Sequence, residues 1–125
     1  MDDETVRVIY SKSRSYHTET AAIEAWQETE RQVEKWGVQH HPDFVQWYDS
    51  DPVGRCIAYG VLSEDAAKEQ CQTRNYGKGD DWAAILIEEV SEAISAVGAD
   101  LRKELIQVAA VALSWVADID ERTGA

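Results

Sequence analysis

The chain has 125 residues, 44% of them hydrophobic and five of them Trp, which supports one globular domain and excludes a disordered tail. Twelve Lys and Arg against 24 Asp and Glu leave a formal charge of −12. That balance excludes a general nucleic-acid binder and a partner of anionic membranes, both of which need a basic face. It suits divalent cations, or an anion that arrives already complexed to cations.

Cys56 and Cys71 are the only cysteines and form no CxxC, so they make no zinc motif. The first residues, Met1-Asp2-Asp3-Glu4, are acidic where a secretory signal starts basic. The longest nearly apolar run, 105–117, is well short of the ~20 residues that cross a bilayer. The expectation is a single cytoplasmic domain with free thiols.

Residues 1–17 carry a short alternating piece, Val6 to Tyr10, read as extended. The helical core is expected over 18–122. Its first helix spans 18–36, with Thr18 as N-cap and Gly37 supplying the left-handed residue after its end. Ala22, Trp26, Val33 and Trp36 give it one apolar stripe. A loop follows over 37–44, and Asp51-Pro52 reads as an N-cap with proline at the first helical position. Ser63 caps another helix that runs to about Asn75 and is stopped by Gly77, with a loop over 77–81. Helices over 82–97 and 101–122, joined by Gly98-Ala99-Asp100, complete the chain. Strand signals are nearly absent. The class is all-α, a compact helical bundle whose last two long helices are antiparallel neighbours.

On a helical wheel the helix over 82–97 places Ala83, Leu86, Ile87, Val90, Ile94 and Val97 on one side. Glu88, Glu89 and Glu92 fall opposite, on adjacent turns, with no Lys or Arg in the helix. A solvated acidic face is one reading of them; a carboxylate cluster that holds hard cations is the other. In the next helix Leu101, Leu105, Val108, Ala112, Trp115 and Ile119 form the main apolar stripe, and Glu104 falls inside it. A carboxylate aimed into a packed interface costs several kcal/mol unless something positive compensates it. Glu89, Glu92 and Glu104 sharing divalent ions is the economical solution; pairing of Glu104 with Lys35 or Arg74 is the alternative. Oxygen-only ligands favour magnesium, with manganese able to substitute. The run 105–117 has only two polar members, Gln107 and Ser114. A helix apolar nearly all round needs partners on several sides, which predicts a homo-oligomer, a dimer or tetramer.

The segment Ile87-Glu88-Glu89-Val90-Ser91-Glu92, a turn, then Lys103-Glu104-Leu105-Ile106-Gln107 resembles the ExxE…ExxD signature of MazG-like nucleoside triphosphate pyrophosphohydrolases. These belong to the all-α NTP pyrophosphatase superfamily. Upstream, Glu30-Arg31-Gln32-Val33-Glu34-Lys35-Trp36-Gly37-Val38-Gln39-His40-His41-Pro42-Asp43 is similar to a segment of small, often phage-encoded members. Trp82 to Leu86, leading into the acidic helix, is a third resemblance. Together the blocks cover most of 28–122. ExxE alone is weak; the ordered set is more specific. One departure is Gln107, which stands where the family has its last acid. Its amide oxygen can ligate a cation but brings no charge.

The resemblance implies hydrolysis of an NTP or dNTP to monophosphate and pyrophosphate, with water attacking the α-phosphorus. Glu89, Glu92, Glu104 and Gln107 would be metal ligands, and Glu88 a ligand or general base. Lys35, Lys68, Arg74 and Lys78 are the candidates for completing the phosphate site, because the protein's own field repels a triphosphate. Trp36 could stack on a base or pack in the core. Gln39 or Asp43 could read a base edge, and His41 could contact substrate or brace its loop. The small phage-type members point to (d)GTP converted to (d)GMP in nucleotide-pool control, with dUTP, dCTP and damaged nucleotides as alternatives. Such a protein would work in the cytoplasm of a bacterial host. Two other readings compete: a non-catalytic helical partner-binding module or phage regulator, and an HD-type phosphohydrolase. The last needs a His/Asp metal set around His41, and the sequence does not supply one.

Overall fold

In a computed structural model of the chain the described residues are Asp2, 13–45, 51–73 and 81–124. Among them are five helices and no strand: α1 (Arg14–Trp36), α2 (Pro52–Ala58), α3 (Glu64–Thr73), α4 (Trp82–Ser95) and α5 (Asp100–Thr123). The all-α class therefore holds. The extended piece at Val6 to Tyr10, the end of the third helix at Asn75 with Gly77, and most of the 77–81 loop lie outside the described residues.

Local chemistry sets most helix ends. The Asp51 side chain accepts from Gly54 N at 3.0 Å, with Pro52 at the first helical position. Ser63 Oγ accepts from Ala66 N at 3.2 Å and Asp81 Oδ1 from Ala84 N at 2.7 Å. Gly37, at φ 75°, closes α1, and Gly98, at φ 59°, turns the chain between α4 and α5. The start of α1 departs from expectation. Ser13, not Thr18, is the N-cap, its Oγ accepting from Tyr16 N at 3.1 Å. Thr18 is helical, and its hydroxyl donates back to the Arg14 carbonyl at 2.8 Å.

The chain separates into two compact units, 1–41 with 113–125, and 42–112. In the first, the start of α1 packs on the second half of α5, burying His17, Ala21 and Ala117. Arg14 clamps this contact, donating from Nε and Nη2 to the two Glu121 oxygens at 2.8 Å each. From Ile23 onward α1 is exposed. Its expected core stripe is not core: Trp26 is 60% and Trp36 62% exposed.

In the second unit α4 packs on α2 and α3. The buried residues of α4 are Ala84, Ser91 and Ala93, and Cys56 of α2 sits against the helix, its Sγ 3.1 Å from Ser95 Oγ. Small side chains let helices approach closely, and the fully enclosed positions of α4 are all small. The larger apolar side predicted as core is left partly open, with Ile87 and Val97 exposed. The buried Arg55 of α2 donates from Nη1 to the Ile94 and Ala96 carbonyls at 2.7 and 2.8 Å. It thereby satisfies carbonyls that the end of α4 leaves unpaired. Its guanidinium carbon lies 4.1 Å from the Phe44 ring centroid. The two long C-terminal helices pack together where their acids meet. The expected stripe of α5 is largely open, Leu105 being 51% exposed and Ile119 also exposed; Ile106 is exposed as well.

Candidate metal centre

The N-cap at Asp81 sets the register of α4, which puts Glu89 and Glu92 one turn apart on the side that meets α5. The turn at Gly98 brings Glu104, in the second turn of α5, to the same place. One carboxylate oxygen from each of Glu89, Glu92 and Glu104 lies within 4.8 Å of the others. All three side chains are half-buried. No Lys or Arg forms a salt bridge with any of them among the described residues. Lys35, one of the two alternative partners of Glu104, belongs to the other unit. Arg74 lies outside the described residues.

The electrostatics follow from this crowding. Burial, then the charges of Glu89, Glu104, Glu88 and Glu64, push the Glu92 carboxyl up from 4.5 to about 7. Glu89 is also raised, by burial first and then by Glu104 and Glu88, while its hydrogen bond with Glu92 works in the opposite direction. Glu89 Oε2 is enclosed and has no hydrogen-bond partner. An enclosed carboxylate oxygen without a donor is costly, and a cation satisfies it. Bonds of about 2.0–2.1 Å to magnesium place ligand oxygens roughly 3–4 Å apart, so the three carboxylates fit such an ion after small side-chain adjustments.

A cavity of about 270 Å³ opens beside the cluster, lined by Glu64, Glu92, Ser95, Asp100 and Glu104 among others. Glu64 and Asp100 are acids that the sequence reading did not place here. Neither belongs to the ExxE pattern, and only the packing of α3 on α4 reveals Glu64. Gln107 is exposed, one turn beyond Glu104. Glu88 is half-buried on α4.

The expected substrate residues divide. Lys68 is exposed on α3, its Nζ 4.0 Å from Glu64 Oε1, and so stands next to a wall of the acidic cavity. Asp43 lines a second, larger cavity in the same unit. Lys35, Trp36, Gln39 and His41 belong to the other unit and are exposed. There Lys35 Nζ sits 4.8 Å from the Trp36 ring centroid, and His41 Nε2 lies 3.4 Å from Gln39 Oε1. Arg74 and Lys78 are outside the described residues.

No protein-family profile matches the chain, and no curated protein or solved structure matches it at a significant level.

Proposed function

We propose that the protein is a metal-dependent nucleoside triphosphate pyrophosphohydrolase of the MazG-like kind, acting in nucleotide-pool control. The observation that carries this reading is the convergence of Glu89, Glu92 and Glu104, one of which, Glu89, has an enclosed oxygen without a hydrogen-bond partner. On a fully solvated acidic face three carboxylates repel one another, whereas here they stand half-buried with their oxygens close together.

Glu89, Glu92 and Glu104 would hold magnesium or manganese. When bound, the cation supplies neutralisation of phosphate oxygens and a more acidic water. Before it binds, the Glu92 carboxyl, pushed up to about 7, retains a proton over much of the neutral range. Loading the site therefore means releasing that proton. Glu88, on the same helix, is the ligand or base candidate left over once three carboxylates are committed. Lys68, beside Glu64 on the acidic cavity wall, is the cation that would meet the outer phosphates. The substrate to try first is (d)GTP, giving (d)GMP.

The working form is an oligomer of this chain. Trp26 and Trp36 in one unit, and Leu105 and Ile106 in the other, each leave more than half of their apolar surface open to water. A second copy would cover it. A screen of all NTPs and dNTPs with magnesium or manganese tests the function, scoring monophosphate and pyrophosphate by chromatography. The reading expects both products in equal amounts from at least one nucleotide. It expects none from Glu92→Gln that remains helical by circular dichroism. Full activity in that variant would overturn it.

A further inference from the structure

We propose that the cavity bounded by the 42–45 loop, α2 and the turn from α4 to α5 is the nucleobase subsite of the same centre, an inference that rests on the phosphohydrolase reading above. The cavity holds about 800 Å³, within the range of roughly 300–1,000 Å³ seen for small-molecule sites. Phe44, Val97 and Leu101 give it apolar walls, and Asp43 and Arg55 are its charged members.

Its aromatic wall is held in place before any ligand arrives. Arg55 is 1% exposed and lies against the Phe44 ring at 4.1 Å. Its Nη1 is fixed by the Ile94 and Ala96 carbonyls. The loop is tied a second time, by Val45 N donating to the Tyr59 hydroxyl at 3.4 Å. Arg55 is enclosed and serves as backing for the ring. A flat heterocycle stacking on Phe44 therefore meets a platform that need not be ordered on binding. Asp43 can accept from a base amino group or a ribose hydroxyl.

Continuity with the acids picks this cavity over the others. Ala96 and Val97 line both it and the cavity that holds Glu92 and Glu104. A ligand with its base on one side of those two residues has its phosphates on the other. Another cavity, of about 430 Å³ between Leu62, Gln70, Ile87 and Val90, shares no lining residue with the acidic one.

The test is equilibrium binding of AMP, GMP, CMP, UMP and ribose 5-phosphate to the full chain in the presence of magnesium, by calorimetry. Stacking on an aromatic ring is worth about tenfold or more in affinity. At least one nucleotide is expected to bind about tenfold more tightly than ribose 5-phosphate, and Phe44→Ala to remove that margin. The affinity of Phe44→Ala for manganese alone is expected to stay as in the wild type, which shows that the variant is folded at the acids. Val97→Trp, which fills the cavity from its rim, is expected to weaken nucleotide binding by a similar factor. Ribose 5-phosphate binding as tightly as every nucleotide overturns the subsite. So does a nucleotide margin that survives both substitutions. Failure of the catalytic reading is a different result: nucleotide binding lost in Phe44→Ala, with no pyrophosphate released by the wild type.

Discussion

Glu92→Gln should stabilise the metal-free protein at pH 8 and leave it almost unchanged near pH 4. An ordinary glutamate titrates at 4.5, whereas Glu92 in the folded chain titrates at about 7. Below 4.5 the carboxyl is protonated whether the chain is folded or not, so it contributes nothing to pH dependence. Between 4.5 and 7 the folded chain keeps a proton that the unfolded chain has lost. Stability therefore falls as pH rises through this window, and the loss is complete above about 7. A shift of that size corresponds to at most about 3 kcal/mol. Glu92 is only half-buried, and solvent screening reduces the figure to about 1–2 kcal/mol. Glutamine keeps the shape and removes the charge. The expected gain is about 5 °C in melting temperature at pH 8, read by circular dichroism in EDTA at low salt. Saturating magnesium should reverse the order, because the wild type gains a ligand-linked stabilisation that the variant lacks. Identical melting curves for the two proteins at pH 8 in EDTA would refute the crowding argument.

Other consequences are checked more simply. Manganese should raise the melting temperature of the wild type, and Glu89→Gln or Glu104→Gln should each remove most of that rise. The metal affinity of the wild type should increase with pH through about 7, as the proton on Glu92 is displaced; calorimetry in two buffers of different ionisation enthalpy would measure the release. Arg55→Ala should cost about 2–4 kcal/mol in denaturant unfolding, since it strips two carbonyls at the end of α4 of their donor and leaves a void beside Phe44. Leu105→Glu with Ile106→Glu should leave a monomer in sedimentation velocity where the wild type, on the proposed reading, sediments as an oligomer; a wild type that sediments as a monomer at micromolar concentration would contradict the reading of α5.

Helix existence and helix ends were legible wherever capping chemistry was explicit. Asp51-Pro52, Ser63, Gly37 and Gly98 each act as their residue type suggests. Ser13 was missed because the turn it opens, Arg14 to His17, carries no apolar period, and the Arg14 contact that holds that turn comes from Glu121, far along the chain. Which face of each helix is buried was much less legible. Hydropathy favours Leu, Ile and Trp, whereas α4 is packed through Ala84, Ser91 and Ala93, where size and not polarity decides. Trp26 and Trp36 show the same limit from the other side: an apolar stripe states that something should cover it, not what does. At the candidate site, Glu89, Glu92 and Glu104 were readable from helical spacing and one short turn. Glu64 was not, since its approach to Glu92 depends on how α3 lies against α4. Arg55 and Phe44 were equally hidden, because their stacking joins a helix and a loop that no local pattern relates.

The most direct measurement is manganese binding followed by electron paramagnetic resonance on the wild type and on Glu89→Gln, Glu92→Gln and Glu104→Gln. Saturable loss of the free-ion signal in the wild type, weakened at least about tenfold in each variant, is the expected result. Wild-type protein that leaves the free-ion signal untouched at millimolar manganese, or variants that bind as the wild type does, would contradict a cation shared by these three carboxylates.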